Sequence, residues 1–290
     1  MDKICIYFVF FRYAFDNFIK MMYNNFTMEK VELVKEYQIK YCEVDFKDEL
    51  KLSSALSYLE EVACLNAEEG GFGYSFVQSK GCAFILSNIV CEFKTPVRLG
   101  EELSFKTWPL PPSYVVFGRE YQIKTKTGEV KLNASSRWCL MHLKTGKIMP
   151  SKIIDNQDYK QYHTEKAIEN VAWKIPAFDL SEDELKYSLT VSYSDYDHNQ
   201  HVNNTKYADY CLNCFSIQEL LFVWLKYFSI SYVRQCKEGE VLRFYRKQQN
   251  EKGYLVQGVN EKDEIVVQAK LVFENEPQER LKEIEDIVHA

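Results

Sequence analysis

The chain has 290 residues, 46% hydrophobic and 15% aromatic, with a formal net charge of −6. This composition supports a folded core. With 11 glycines and 7 prolines it excludes a collagen-like or low-complexity chain, and its acidic balance gives no support to a nucleic-acid binder. The nine cysteines, odd in number and scattered through apolar segments, read as buried free thiols of a reducing cytoplasm.

In chain order, residues 4–11 are apolar, but Arg12 and Asp16 interrupt them. The run is too short for a bilayer span, which takes about 20 apolar residues, and it lacks a small-residue cleavage site. Met28 is a serviceable start. Residues 1–30 are therefore expected to be an extension outside the fold, without stable membrane association. A weak membrane-surface helix is the alternative.

A first unit is expected over 31–150. It contains an alternating strand at Tyr37–Phe46, a helix over 53–67, and a C-cap and turn at Gly70-Gly-Phe-Gly73. Strands at Tyr121–Thr125 and Arg137–Leu143 are joined near Lys126-Thr-Gly-Glu129. Residues 151–186 read as an interdomain connector with short helical pieces. A second unit over 187–275 repeats the order. Tyr187–Tyr196 aligns onto Tyr37–Phe46 and a helix runs over about 203–214. Lys237-Glu-Gly239-Glu240 matches Arg98-Leu-Gly100-Glu101, and the last strands, 254–259 and 264–273, are joined near Asn260. A strand, a long helix and several antiparallel strands, occurring twice, make an α+β unit whose sheet wraps its helix. Several α+β folds satisfy that pattern. Residues 276–290 form a charged tail, read over Glu279–Asp286 as a solvated terminal helix.

The densest run of chemistry is Asp195-Tyr-Asp197-His-Asn199-Gln-His201-Val-Asn203-Asn204. If it is extended, Asp197, Asn199 and His201 leave the backbone on one side. A carboxylate, a carboxamide and an imidazole together can orient a water or nucleophile, hold a carbonyl and move a proton near neutral pH. An Asn-rich turn with Asn203 or Asn204 as N-cap explains those two residues, but not the other three. His198, at an odd position, should point away. In the repeat alignment Lys47, Glu49 and Lys51 stand opposite Asp197, Asn199 and His201, so one active site per chain is expected. Cys211-Leu-Asn-Cys214 has no second cysteine pair and reads as core rather than zinc. No Walker loop, Rossmann fingerprint or HExxH is present, so no cofactor and no metal is expected.

Asp-x-Asn-x-His-Val-Asn-Asn followed by a tyrosine resembles the signature of the acyl-acyl-carrier-protein (acyl-ACP) thioesterases of plants and bacteria. The resemblance spans roughly residues 33–275. It implies a tandem hotdog fold, in which two antiparallel sheets each wrap a long helix. It also implies a hydrolase that releases free fatty acid from acyl-ACP, with the acyl carrier protein as partner. The first unit would bind the acyl chain and the second would be catalytic. In this reading His201 is the general base, Asn199 holds the thioester oxygen, and Asp197 either attacks the carbonyl or orients water. The family commonly has Glu-Cys ahead of a basic-acidic-Gly turn. Here the pair is Gln235-Cys236, which puts a glutamate-based mechanism in doubt and leaves both residues as supporting candidates. The chain is expected as a monomer of two fused hotdogs or a homodimer. An acyl-CoA thioesterase using the same residues and a non-catalytic acyl-binding module are the alternatives.

Overall fold

The computed structural model describes residues 32–154, 162–197 and 199–289. The expected extension and His198 lie outside the described residues. Five strands, β1 (Leu33–Gln38), β2 (Cys82–Phe93), β3 (Glu102–Pro109), β4 (Phe117–Thr125) and β5 (Val130–His142), form the first half-sheet. A two-residue β6 (Ile148–Met149) pairs with β5 at its side. The second half repeats them as β7 (Leu185–Thr190), β8 (Val223–Tyr232), β9 (Val241–Gln248), β10 (Gly253–Val259) and β11 (Ile265–Asn275).

The strand order is β1-β3-β4-β5-β2-β8-β11-β10-β9-β7, a palindrome in which each half repeats the other. The two half-sheets merge into one because β2 pairs antiparallel with β8, Val90 opposite Ser229 at the centre. Each half wraps a helix, as the tandem hotdog reading expects. Helix α1 (Leu52–Glu69) buries Leu52, Ala55, Leu56, Leu59, Val62 and Ala63, the spacing of a single apolar face. A short α2 (Tyr74–Ser79) follows it. Its counterpart α3 (Asn204–Leu212) buries Tyr207, Ala208 and Cys211 and is followed by α4 (Ile217–Leu220). Gly100 and Gly239, at φ 79° and 84°, make the same left-handed turn into β3 and β9, a conformation a Cβ disfavours.

The segment between the halves is anchored to both where it is described. The Trp108 indole donates to the Glu165 carbonyl at 2.9 Å, and the Ala167 N–H donates to Glu120 at 2.8 Å. Further on, Phe178 exchanges hydrogen bonds with the Gln257 carboxamide. The connector thus passes from the first half-sheet to the second.

The charged tail departs from expectation. Its helix, α5 (Gln278–His289), is not simply solvated: Glu276, Arg280 and Ile284 are buried. The Lys47 ammonium, from the first half, donates to Glu276 at 2.8 Å and to the Val223 carbonyl at 2.7 Å, and lies 3.0 Å from Glu49. Arg280 donates to the Lys47 carbonyl at 2.7 Å. A lysine this deep in the protein needs its anions, because an unpaired buried charge is strongly destabilising. Glu276→Ala is therefore expected to lower the unfolding free energy by about 3 kcal/mol, read from urea denaturation. A loss below about 1 kcal/mol, the range of an exposed pair, would contradict the buried lock.

Candidate active site

The segment carrying Asp197, Asn199 and His201 is not extended. A bridge between Tyr196 and Val202 closes it into a tight turn, and Gln200 sits at φ 64°. The expected alternation therefore fails, since a chain that turns back on itself has no period of two. The turn brings the residues together by other means. The Asp197 N–H donates to the His201 carbonyl across the turn at 3.0 Å. The Asp197 carboxylate accepts the Asn199 N–H at 2.8 Å and its side-chain amide at 3.5 Å, an Asx-type turn. Asp197 and His201 are half-buried, whereas Asn199 is exposed. Among the described residues no hydrogen bond joins the His201 imidazole to either neighbour.

The helix start is built as the Asn-rich pattern predicts. Asn203 is the N-cap, and its side-chain oxygen accepts from the Thr205 N–H and hydroxyl, both at 2.8 Å. The Asn203 N–H donates to the Asp195 carbonyl and the Lys206 N–H to the Asn203 carbonyl. These bonds leave the Asn204 N–H as the available donor at the helix start.

The Gln235-Cys236 loop is tied to this turn at three points. The Tyr232 hydroxyl donates to the Asn204 carbonyl at 3.1 Å, the Glu238 N–H donates to the Tyr196 hydroxyl at 2.5 Å, and Gly239 and Glu240 bond Val191 through their backbones. Cys236 is fully buried beside the Tyr207 hydroxyl, and burial pushes its thiol up. A thiol with a raised pKa forms little thiolate, so Cys236 suits support better than attack. Gln235 is exposed and makes no hydrogen bond among the described residues. Tyr207, the tyrosine that closes the signature, lies on the apolar face of α3 one turn in, where burial pushes its hydroxyl well up. Cys211 and Cys214 lie in the core, their thiols pushed up by burial, as the core reading of the CxxC expects.

Hydrogen bonds correct the repeat register by two residues. In the first half, the Asp45 N–H donates to the Glu49 carbonyl, the Asp45 carboxylate accepts the Lys47 N–H, and Asp48 sits at φ 60°. These are the bonds and the backbone of Asp197, His201, Asn199 and Gln200. Val44 bridges Leu50 as Tyr196 bridges Val202. The Glu43 carboxylate accepts the Lys40 N–H and the Asp195 carboxylate the Ser192 N–H, both at 2.8 Å, the same capping-box contact. Each box acid meets a helix tyrosine, Tyr58 on Glu43 at 2.7 Å and Tyr210 on Asp195. The counterparts of Asp197, Asn199 and His201 are therefore Asp45, Lys47 and Glu49, while Lys51 stands opposite Asn203. The first half keeps the aspartate of the turn and replaces the amide and imidazole by a buried ion pair.

Burial, with Glu276 and Asp45 adding to it against the opposing pull of Lys47, raises the Glu49 carboxyl from 4.5 to about 7. A carboxyl raised on folding gives stability that is complete below 4.5 and lost as pH rises through 7. Glu49→Gln removes that dependence. Between pH 4.5 and pH 8 the wild type is expected to lose on the order of 2 kcal/mol relative to Glu49→Gln. Parallel pH profiles of the two proteins, by chemical denaturation, would contradict the shift.

Comparison with known proteins gives two family-model matches. The acyl-ACP thioesterase N-terminal domain matches residues 30–157 and the C-terminal domain of the same family matches 179–275. A curated chloroplastic acyl-acyl-carrier-protein hydrolase, FATB2 of Cuphea viscosissima, is 26% identical over 220 residues, covering 72% of this chain and 53% of the relative. The chloroplastic oleoyl-acyl carrier protein thioesterase 1 of Arabidopsis thaliana is 22% identical, covering 74% of this chain and 64% of the relative. The chain thus spans about half the length of the FATB relatives it matches. Among solved structures, the 12:0-ACP thioesterase of Umbellularia californica superposes with a TM-score of 0.77 at 18% identity, covering 87% of this chain and 100% of that one. An acyl-ACP thioesterase of Bacteroides thetaiotaomicron gives 0.73 at 23% identity, covering 84% and 98%. These two likenesses establish the tandem hotdog fold.

Proposed function

The chain belongs to the acyl-ACP thioesterase family, and from that premise we propose that it hydrolyses fatty acyl-ACP to free fatty acid and the carrier thiol. The observation that carries this reading is the Asp197–Asn199–His201 turn at the start of α3, complete in one half and replaced in the other. A non-catalytic acyl binder needs the fold but not that set. The family match also favours the carrier-protein thioester over acyl-CoA.

His201 takes the proton from the attacking water, a task suited to an imidazole. The carboxamide of Asn199 donates to the thioester oxygen as negative charge develops there, with the Asn204 N–H as a second donor. Asp197 holds Asn199, because both of its oxygens accept from that residue. Direct attack by Asp197 would break these bonds, so the geometry favours an oriented water. Cys236 and Tyr207 pack behind the turn, and Gln235, being a carboxamide, can hydrogen-bond a water but cannot act as a base.

The repeat symmetry suggests where the acyl chain lies. The first half-sheet and α1 present Tyr58, Leu86 and Trp138, packed in the core, where the second half presents Tyr210, Leu225 and Phe273, and these first-half residues are assigned to holding the acyl chain. Residues 31–150 then serve binding and 187–275 catalysis, with 151–186 connecting them. No helix among the described residues is long and apolar enough to cross a membrane, and the eight cysteines there are free. We place the protein in the cytoplasm, working as a monomer of two fused hotdogs or a homodimer.

His201→Ala is expected to lower acyl-ACP hydrolysis at least about 10²-fold with the fold intact, whereas Cys236→Ala is expected to cost less than about tenfold. Steady-state release of the ACP thiol, with circular dichroism of each variant, measures both. Near wild-type turnover of His201→Ala, or its loss in a folded Cys236→Ala, would overturn the assignment.

A further inference from the structure

A cavity of about 620 Å³ opens not at His201 but at its counterpart in the first half. The Asp45–Leu52 segment, Pro96 and Val97 form one wall. By the repeat register, Pro96 and Val97 stand where Gln235 and Cys236 stand in the second half. The other wall belongs to the second half, with an apolar stretch of Phe215, Leu220, Trp224, Leu225 and Phe273 and a polar one of Asp195, Asp209 and Asn213. Where the two walls meet, two lysines line the space, Lys51 at the start of α1 and Lys206 in the first turn of α3. Neither is within ion-pair distance of a carboxylate among the described residues, although both attract Asp209 and Lys51 also attracts Asp45.

The polar end is unfinished. The Glu49 side chain is only 9% exposed and lines the cavity, yet its Oε1 has no hydrogen-bond partner. A buried polar atom without a partner costs about 1–3 kcal/mol, so the place calls for a donor or acceptor from outside the chain. A protonated Glu49 would donate to an incoming oxygen, and the two lysines would hold its negative charge. The apolar wall beyond would cover an alkyl chain, at about 0.8 kcal/mol per methylene buried.

We propose that this cleft is a second binding site, for a long-chain carboxylate whose head lies between Lys51, Lys206 and Glu49 and whose tail runs along Trp224 and Phe273. Its occupant would be the free fatty acid that the reaction releases. That identity rests on the hydrolase reading, whereas the site itself does not. The C-terminal segment belongs to the device, since Glu276 and Arg280 fix the back of the Lys47–Glu49 pair and both lie beyond the residues that the family model matches.

The groups facing Glu49 are Asp45 and Lys47 on its own turn, Arg98 across the bridge, and Glu276 with Arg280 behind; Asp195, Lys206 and Asp209 close the opposite wall. Of these, burial raises Asp45 and Asp209, and Glu49 is pushed to about 7. A carboxylate ligand is therefore expected to bind more tightly at pH 6 than at pH 8.5, where an ionised Glu49 repels it.

Trp224 reports on the cleft directly. Undecanoate brominated at its far carbon, titrated into the full chain carrying His201→Ala, should quench tryptophan fluorescence saturably. The Trp224→Phe protein in the same background should lose most of that quenching. Lys51→Met with Lys206→Met should weaken it at least tenfold, and the matching bromoalcohol should bind more weakly than the acid. Acid that binds without quenching Trp224 occupies some other place, and this result, like indifference to the lysines or no binding at all, overturns the proposal. Quenching at Trp224, with the wild-type chain failing to hydrolyse acyl-ACP, would leave the cleft standing and overturn only the hydrolase reading.

Discussion

The pairing of β2 with β8 is the constraint on which the rest of the structure depends. Ile89 to Ile230 and Cys91 to Phe228 are joined edge to edge, so two sheets that would each carry a free edge become one. The same pairing sets the halves about a local twofold through Val90 and Ser229. Each helix then starts near the other, with Ser53 at the head of α1 beside Asp209 of α3. Two equivalent turns follow from this symmetry, one before each helix, and each faces residues of the opposite half.

Given two equivalent turns, the chain has specialised them in opposite directions. Asp45 and Asp197 keep the same backbone bonds, so the shape of the turn is common property. The second and fourth positions beyond the aspartate differ. Asn199 and His201 are an exposed carboxamide and a half-buried imidazole. Lys47 and Glu49 are an ion pair in its interior, with Glu276 and the Val223 carbonyl completing the lysine's shell. Burying those charges costs solvation that only good geometry repays. What it yields here is a fixed contact between the halves, running from the first half's turn to the root of α5.

Much of this was legible in the sequence. Alternating apolar residues placed β4, β5, β10 and β11, because half-buried antiparallel strands show a period of two. The 53–67 helix was foreseen within two residues of its ends, and the Asn203 cap from its side-chain chemistry. The repeat register was not. Tyr37 with Tyr187 and Asp45 with Asp195 make a tidy gapless match by residue type, but the backbone bonds pair Asp45 with Asp197. An aspartate closing an Asx turn and one closing a capping box look alike in sequence. The burial of Glu276 and Arg280 was equally hidden. A charged helix reads as solvated, and only the position of Lys47, more than two hundred residues away, shows what those charges meet.

The central claim is that the second-half turn, and not its first-half twin, receives the acyl thioester. Hydrogen–deuterium exchange with a non-hydrolysable acyl-ACP thioether tests it most directly. The account predicts protection over residues 195–205 with residues 43–51 little changed. Protection confined to 43–51 would contradict it and move the chemistry to the half that has lost the imidazole.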